Sequence, residues 1–338
     1  MRDFDTNCAR RICVAPMMDW TDRHCRYFHR QLSRHVYLYT EMITTSALLF
    51  GDIARHLFFM PQENPIALQL GGSEPNELAH CAKLAEWWGY DEINLNCGCP
   101  SERVQRNAFG ACLMKEATLV TDCVKAICDK VTIPVTVKHR IGVNGVNNYG
   151  FVRDFVGTVA QGGCHVFIVH ARNAILHGLS PKKNREIPEL KYNYAYRLKH
   201  DFPKFEIIIN GGIKTLHEAS THLRYVDGVM IGRQFYHHPY LLADVDRCFY
   251  SPSAAVKTRS TVELAMREYI YAEHARGTYI GAITRHMLGL YRNQPGAKSW
   301  RRILSDPQQL STGNFRILDE AHAQIAAPPA DTYKKITS

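Results

Sequence analysis

The sequence has no run of eighteen apolar residues, so it offers no candidate for an ordinary membrane-spanning helix. The N-terminal stretch MRDFDTNCARR has no apolar core of the kind that a secretory signal requires, so we expect no signal peptide. The eleven cysteines are an odd number and are scattered along the chain. We therefore expect free thiols and a cytoplasmic location.

The composition predicts an ordered protein with a polyanionic partner. The chain has 338 residues, 46% of them hydrophobic, which is enough for one large barrel-type domain and a small appendage. The formal net charge is +9, and residues 251–310 carry nine Lys and Arg against four Asp and Glu. A basic surface favours partners such as nucleic acids but does not identify one.

Eight short apolar runs alternate with longer amphipathic segments through the first 235 residues. The runs are mostly continuous, as expected for strands that are buried on both faces. Eight strand–helix units predict an α/β fold, the (β/α)8 TIM barrel. An open doubly wound sheet is the alternative, but it would more often carry G-x-G-x-x-G after its first strand, and that motif is absent. The predicted strands are residues 12–17, 36–42, 65–72, 91–96, 133–142, 165–172, 206–212 and 227–233.

The last part of the chain has a different pattern. SPSAAVKTRS (251–260) is typical of a connection, and the helical patterns that follow it are not interrupted by strands. We predict a barrel domain at 1–250 and a small helical domain at 251–338.

Nearly every predicted strand ends on a polar or ionisable group. In a barrel of this kind the active site lies at the carboxyl ends of the strands. Each residue alone has a structural explanation, since a lysine can reach solvent and a histidine can sit satisfied in a core. Together they indicate an active site. The strand ends carry Met17, Met18, Asp19, Glu41, Gln69, Asn94 to Cys99, Lys138, His170, Asn210 to Gly212, Gly232 and Arg233.

The last two strand ends predict a phosphate site. NGG (210–212) ends the seventh strand, and IGR (231–233) ends the eighth. Loops after strands seven and eight often bind phosphate in such barrels, because paired glycines let backbone N–H groups approach it closely. Arg233 would add a fork of donors.

The stretch NLNCGCPS (94–101) carries two cysteines, which raises three possibilities: a metal clip, a redox pair or one functional thiol. No second Cys-x-x-Cys or His-x-His pair is present, so we expect no metal site. A disulfide within Cys-x-Cys would be strained. Cys97 and Cys99 should point to opposite faces of the strand end, so only one can face the barrel mouth. Gly98 and Pro100 favour Cys99 as the residue held over the site.

Nine ordered motifs resemble the tRNA-dihydrouridine synthases, most of all the subfamily called tRNA-dihydrouridine synthase A. They are APMMDWTDRHCR, ALQLGG, INLNCGCPS, GACLM, VTVKHRIG, FIVHAR, SPKKNREIP, INGGI and DGVMIGR. The resemblance extends from about residue 10 to beyond residue 302. It implies a TIM barrel with a C-terminal helical domain, tightly bound FMN, NADPH as the reductant, and tRNA as the partner and substrate.

The resemblance also implies residue roles. Hydride from reduced flavin would add to carbon 6 of a D-loop uracil, at positions 20 and 20a, and Cys99 would donate the proton to carbon 5. Asn96 would contact the tRNA. The flavin contacts would be Pro16, Met17, Met18, Gln69, Lys138, His170, Asn210, Gly211, Gly212, Gly232 and Arg233.

Basic clusters provide further candidates for binding the tRNA backbone. They are Lys182, Lys183 and Arg185 with the adjacent Glu186, and Lys298, Arg301 and Arg302. Cys97 and His139 depart from the family pattern, and the sequence does not decide their roles or that of Trp300. We expect a monomer that binds neither metal nor membrane, although no motif specifies the oligomeric state.

Two rival functions stay open at this point. The first is an FMN-dependent reductase or dehydrogenase of a free pyrimidine, which would not need a basic helical domain. The second is an RNA-binding protein that has lost its redox chemistry, which would not need to retain Cys99, Lys138, His170 and Arg233 together.

Overall fold

Eight parallel strands form one sheet that closes into a barrel. The computed structural model describes residues 9–146, 148–314 and 316–326. The strands pair in the order β1-β8-β7-β6-β5-β4-β3-β2, and a bridge between Cys13 and Tyr37 closes the ring between β1 and β2. The predicted TIM barrel is therefore confirmed. The strands are β1 (Ile12–Val14), β2 (Leu38–Thr44), β3 (Ile66–Gly71), β4 (Glu92–Cys97), β5 (Val135–Arg140), β6 (Val166–His170), β7 (Glu206–Asn210) and β8 (Gly228–Ile231).

Helices follow the strands and continue beyond the barrel. None that the structure describes is both long and apolar enough to cross a membrane. They are α1 (Arg23–Leu32), α2 (Thr45–Phe50), α3 (Ile53–Leu57), α4 (Pro75–Trp88), α5 (Glu102–Arg106), α6 (Ala117–Cys128), α7 (Tyr149–Ala160), α8 (Tyr192–Asp201), α9 (Leu216–His222), α10 (Arg233–His237), α11 (Val245–Phe249), α12 (Arg259–Ala275), α13 (Ile280–Met287), α14 (Ala297–Leu304), α15 (Pro307–Ser311) and α16 (Ile317–Ala326).

The chain divides into two compact units. The first contains the barrel and spans residues up to Arg23 and from His35 to Gly232. The second joins His24–Arg34, which forms most of α1, to the chain from Arg233 onward. The domain boundary drawn at residue 250 stays a prediction, and residues 327–338 of the predicted helical domain lie outside the described part.

The second unit has its own core. Trp300 is fully buried and donates its indole N–H to the carbonyl of Met287 at 3.0 Å. The buried carboxylate of Glu263 accepts the hydroxyl of Tyr291 at 2.8 Å and contacts His322 at 2.9 Å. These contacts tie α14 to α13 and α12 to α16, and the burial of Trp300 places it beneath the helices rather than on a surface where RNA could stack.

A buried ion pair lies at the amino ends of the barrel strands, which we call the base of the barrel. Arg10 donates to the carboxylate of Glu92 at 2.5 Å, and the exposed fraction of the Glu92 side chain is 0%. Arg10 also contacts Glu206 at 3.1 Å, and the Tyr39 hydroxyl donates to Glu92 at 3.0 Å. A buried charge needs such partners, because taking it out of water is costly.

A chain of side-chain hydrogen bonds runs from this ion pair up the interior of the barrel. An ionised carboxylate only accepts, so the Thr136 hydroxyl donates to Glu92 at 2.5 Å and its oxygen accepts from Asn94 at 2.7 Å. Asn94 then accepts from Gln69 at 2.7 Å, and Gln69 accepts from Asn96 at 2.8 Å. Each bond fixes the orientation of the next amide. The side-chain oxygen of Asn96 is therefore turned toward the barrel mouth.

Glu92→Ala should destabilise the protein by about 3 kcal/mol, because it removes one partner of a buried ion pair and leaves Tyr39 and Thr136 without their acceptor. The free energy of unfolding from urea denaturation measures this change. Glu74→Ala, which removes an exposed carboxylate at the start of α4, is the control and should change that energy by no more than about 0.5 kcal/mol. Equal losses in the two variants would contradict the anchoring role of Glu92.

Candidate functional site

A turn that carries Cys99 lies at the carboxyl end of the barrel. In this thiol turn, residues 98–100, every backbone polar group has a partner. Asn96 Oδ1 accepts the N–H groups of Gly98 and Cys99 at 3.0 and 2.9 Å. The Cys99 carbonyl accepts from Ala111 N at 2.9 Å. The carbonyls of Gly98 and Pro100 accept from side chains, and Pro100 has no N–H.

A close approach of glycine supports the same turn. Gly110 has φ +76°, and a Cβ atom there would lie 2.7 Å from the Cys99 carbonyl oxygen. A side chain at this position would push the turn away from its partner, so the glycine fits the placement of Cys99.

The two cysteines of Cys-x-Cys occupy different environments. Cys97 is fully buried, and its electrostatic neighbours are the thiols of Cys123, Cys164 and Cys112. Cys99 is partly exposed, and its charged neighbours are Arg140, Arg185 and Lys138. Only Cys99 thus faces the cationic mouth, whereas Cys97 is a small buried side chain.

Cys99 is held in its protonated form. Burial raises the pKa of its thiol above the ordinary value, and a backbone N–H of Ser101 with the nearby cations lowers it by less. A thiol in this state can give up a proton at neutral pH but is a poor nucleophile.

Cations gather around Cys99. Burial first, and then the positive charge of Arg140, lower the pKa of Lys138 to about 7. Burial and the neighbouring cations also hold the pKa of His170 well below its usual range, so its imidazole is neutral. Lys138 Nζ donates to Asn210 Oδ1 at 3.2 Å. The charged groups acting on His170 are all cations, so this mouth suits an anionic or electron-rich ligand.

The ends of β7 and β8 form a backbone cradle. Gly211 and Gly212 have φ of +120° and +72°, and a Cβ atom at either would come within 2.8 Å of a neighbouring side chain. A Cβ atom at Gly232 would lie 3.3 Å from the sulfur of Met17. Asn210 is anchored by donating to the Met230 carbonyl at 2.8 Å. Glycines where side chains do not fit, beside backbone N–H groups, match what a bound phosphate requires.

Pro16, Met17 and Met18 lie on a tight turn after β1. The Thr21 hydroxyl accepts Met17 N–H at 2.9 Å and donates to the Met17 carbonyl at 3.2 Å, while Met18 is 55% exposed. This turn and the amide of Gln69 stand with the cradle at the same end of the barrel. Within the barrel unit, the structure thus brings the predicted flavin contacts to one edge. Arg233 begins α10 in the second unit.

The predicted RNA contacts fall on two segments. Lys182, Lys183, Arg185 and Glu186 are exposed on the loop between β6 and α8 (residues 172–191), and Lys298, Arg301 and Arg302 are exposed on α14. Asn96 is 9% exposed, and both ends of its amide are engaged inside the barrel. Its predicted contact with tRNA stays a prediction.

Sequence reasoning missed three residues of the site: Gln105, Arg140 and Asn184. The sequence could have indicated Arg140, because it lies two residues after Lys138 and its side chain therefore lies on the same face of β5. The sequence gives no such indication of Gln105 and Asn184, since their partners are backbone carbonyls that only the folded chain brings close. His139, between Lys138 and Arg140, points away from the mouth and packs against Phe155 and Phe167.

No group of three or more His, Cys, Asp or Glu side chains in the described residues is arranged to hold a metal ion. The polar groups at the mouth include amides, cations, one thiol and the carboxylate of Glu41, which accepts the N–H of Asp19. This donor set fits a flavin phosphate and ring system better than a hard cation, which prefers carboxylate oxygens.

Comparisons with known proteins agree on one family. The family model described as dihydrouridine synthase matches residues 13–326. The tRNA-dihydrouridine(20/20a) synthase of Pseudomonas aeruginosa is 55% identical over 96% of this chain and 99% of its own. The enzyme of the same name from Escherichia coli K12 is 54% identical over 95% of this chain and 93% of its own.

A solved structure supports the fold alone. A 2-naphthoyl-CoA reductase in complex with 2-naphthoyl-CoA aligns with a TM-score of 0.51 at 10% identity. The alignment covers 70% of this chain and 49% of the reductase chain.

Lys138→Met should stabilise the ligand-free protein by about 2 kcal/mol at pH 7, because a methionine fills the same space without a buried ammonium group. Between pH 7 and 10.5 the unfolded chain holds a proton on Lys138 that the folded protein has released. Stability of the wild type therefore rises with pH across this window. The gain in the variant should be complete below pH 7 and shrink as pH rises toward 10.5.

Unfolding midpoints of wild type and variant between pH 6 and 10 measure the effect. Lys130→Met, at an exposed lysine of the same unit, is the control and should show no such pH dependence. A constant gain for Lys138→Met over the whole range would mean that Lys138 is an ordinary solvated lysine.

Proposed function

This chain belongs to the dihydrouridine synthase family, and from that premise we propose that it is a flavin-dependent tRNA-dihydrouridine synthase. It reduces uridines 20 and 20a in the D-loop of tRNA to 5,6-dihydrouridine. The observation that carries the proposal is a protonated thiol, Cys99, held on a fully bonded turn among cations at the barrel mouth.

FMN is the proposed cofactor, and NADPH is the proposed reductant. The phosphate would lie on Asn210, Gly211, Gly212, Gly232 and Arg233, where the barrel residues form a cradle that side chains would fill. Pro16, Met17, Met18 and Gln69 would line the ring system, with Lys138 and His170 beside the ring and the uracil. When bound, reduced FMN supplies the hydride that adds to carbon 6 of uracil.

The protein supplies the proton. Addition at carbon 6 leaves negative charge shared between carbon 5 and the neighbouring carbonyl oxygen of the uracil. Cys99 donates its proton to carbon 5, and the nearby cations Lys138 and Arg140 stabilise the developing charge and then the thiolate. The raised pKa of Cys99 keeps the proton in place until that step.

The exposed basic residues hold the RNA. A uracil in the folded D-loop is partly stacked, so it must be turned out of the stack to reach Cys99. Lys182, Lys183 and Arg185 on one segment and Arg301 and Arg302 on another offer contacts to phosphates. Lys298, Glu186 and Asn96 complete the proposed tRNA contacts.

The setting of the reaction is also proposed. The cysteines from Cys13 to Cys248 are free thiols, which is consistent with a reducing cytoplasm. We also propose that the protein acts as a monomer.

Cys99→Ala should slow uridine reduction by about 10²–10⁴-fold, because it removes the proton donor. Reduction of the flavin by NADPH should change little, since the thiol takes no part in it. Rapid mixing of the reduced enzyme with tRNA, followed by flavin absorbance, measures the first rate. Cys97→Ala is the matched control and should retain near-normal rates. A crippled Cys97→Ala with an active Cys99→Ala would reverse the assignment.

Unmodified tRNA incubated with the protein, FMN and NADPH should gain two hydrogens on uridines of the D-loop. Nucleoside mass spectrometry with position mapping detects this gain. The same mixture with free uridine should give no product. Turnover of free uridine without change in tRNA would favour the free-pyrimidine reductase. A flavin-free protein that binds tRNA but reduces neither substrate would favour an RNA-binding protein.

A further inference from the structure

The two carbonyls that flank Cys99 are bonded to side chains that also reach another loop. Arg140 Nε donates to the Gly98 carbonyl at 3.1 Å, and Gln105 Nε2 donates to the Pro100 carbonyl at 2.9 Å. Arg140 is 2% exposed, so its guanidinium needs these acceptors in place of water. The thiol turn therefore accepts side-chain hydrogen bonds on both sides of Cys99.

Both donors extend into the loop between β6 and α8. Arg140 Nη1 donates to the Asn184 carbonyl at 2.9 Å and to the Asn173 carbonyl at 3.3 Å. Gln105 Nε2 donates to the Leu176 carbonyl at 3.0 Å. Two independent bridges thus join the thiol turn to the loop that carries Lys182, Lys183 and Arg185.

The loop between β6 and α8 is joined internally by the hydrogen bonds of Asn184. Asn184 is fully buried and lies between Lys183 and Arg185. Its side chain accepts from Ile175 N and donates to the Ile175 carbonyl, both at 2.8 Å, and to the Leu179 carbonyl at 3.2 Å. A phosphate bound to the neighbouring basic side chains therefore contacts a segment that is hydrogen-bonded to the rest of the loop.

We propose that Gln105 and Arg140 are positioning residues that couple RNA contact on the loop between β6 and α8 to the placement of the Cys99 thiol. The inference rests on the proposed function, and it assigns a regulation of the same site. The thiol turn is already bonded in the protein without RNA, and tRNA held on the loop keeps the turn in that position during the reaction. Placement matters because a shift of about 1 Å in a reacting group can cost about 10²-fold in rate.

Gln105→Met is the first test, because methionine has a similar length but cannot donate to Pro100 and Leu176. The variant should reduce tRNA uridines about tenfold more slowly in a single turnover, with tRNA affinity within about twofold of wild type. Gln161→Met, at an exposed glutamine just after α7, is the matched control and should leave both quantities unchanged. A fall in affinity that accounts for the whole loss of rate would overturn the proposal.

A double variant separates positioning from a general structural role. If Gln105 acts through Cys99, then Gln105→Met should add less than about twofold to the loss already caused by Cys99→Ala. A full tenfold further loss in that background would show that Gln105 supports some other part of the enzyme. Arg140→Lys, which keeps the charge but loses the fork of donors, should behave like Gln105→Met in the same cycle.

Alkylation of Cys99 tests whether Gln105 holds the thiol turn in place, and it does not require turnover. Iodoacetamide labelling followed by peptide mass spectrometry should show Cys99 reacting severalfold faster in Gln105→Met than in the wild type, because the turn is freed on one side. Cys128, a half-buried thiol on α6, is the internal reference and should not change. If the labelling rate of Cys99 did not change, or if Cys128 reacted faster to the same degree, Gln105 would not be holding the thiol turn.

These measurements keep the two proposals apart. A wild-type protein that makes no dihydrouridine would contradict the proposed function, whatever the labelling shows. A wild-type protein that makes dihydrouridine, with unaltered labelling and rate in Gln105→Met, would contradict only the coupling.

Discussion

The buried carboxylate of Glu92 sets the direction of a chain of side-chain hydrogen bonds that leads to the thiol turn. Because it is paired with Arg10 and can only accept, Thr136 must donate to it, and the amides of Asn94, Gln69 and Asn96 then follow in a single sense. The last oxygen of the chain accepts the two N–H groups of the thiol turn. A charge at the base of the barrel thus fixes the orientation of groups at its mouth through successive side-chain hydrogen bonds.

The same chain separates the buried ion pair at the base of the barrel from the basic groups near Cys99. The carboxylates of Glu92 and Glu206 lie at the base with Arg10, whereas Lys138, Arg140 and His170 lie toward the mouth. The amides between them neither carry charge nor leave a buried donor unpaired, so they separate the two ends at little cost. The carboxylates at the base are paired with Arg10, whereas the positive charges of Lys138 and Arg140 act on Cys99 at the mouth.

Much of this arrangement could be predicted from the sequence. Continuous apolar runs predicted the barrel, which the structure confirms, whereas the functional end and the phosphate site at NGG and IGR stay predictions. The alternation of side chains along a strand separated Cys97 from Cys99. The bridges from Gln105 and Arg140 could not be predicted, because their acceptors are backbone carbonyls up to 71 residues away in the chain. A carbonyl has no sequence signature, so contacts of this kind emerge only once the loops are folded.

The electrostatics of the mouth also favour a thiol for the proposed role of proton donor. Arg140, Arg185 and Lys138 all favour the ionised form of an acid placed at residue 99. Burial would raise the pKa of a carboxyl group there too, but that pKa would begin near 4, so the group would hold a proton less well than a thiol at neutral pH. A thiol begins near 8.5, and burial raises its pKa by more than the cations lower it. It therefore stays protonated, while the same cations stabilise the thiolate once the proton has left. Cysteine thus combines a stabilised conjugate base with a proton that it retains better than a carboxylic acid would.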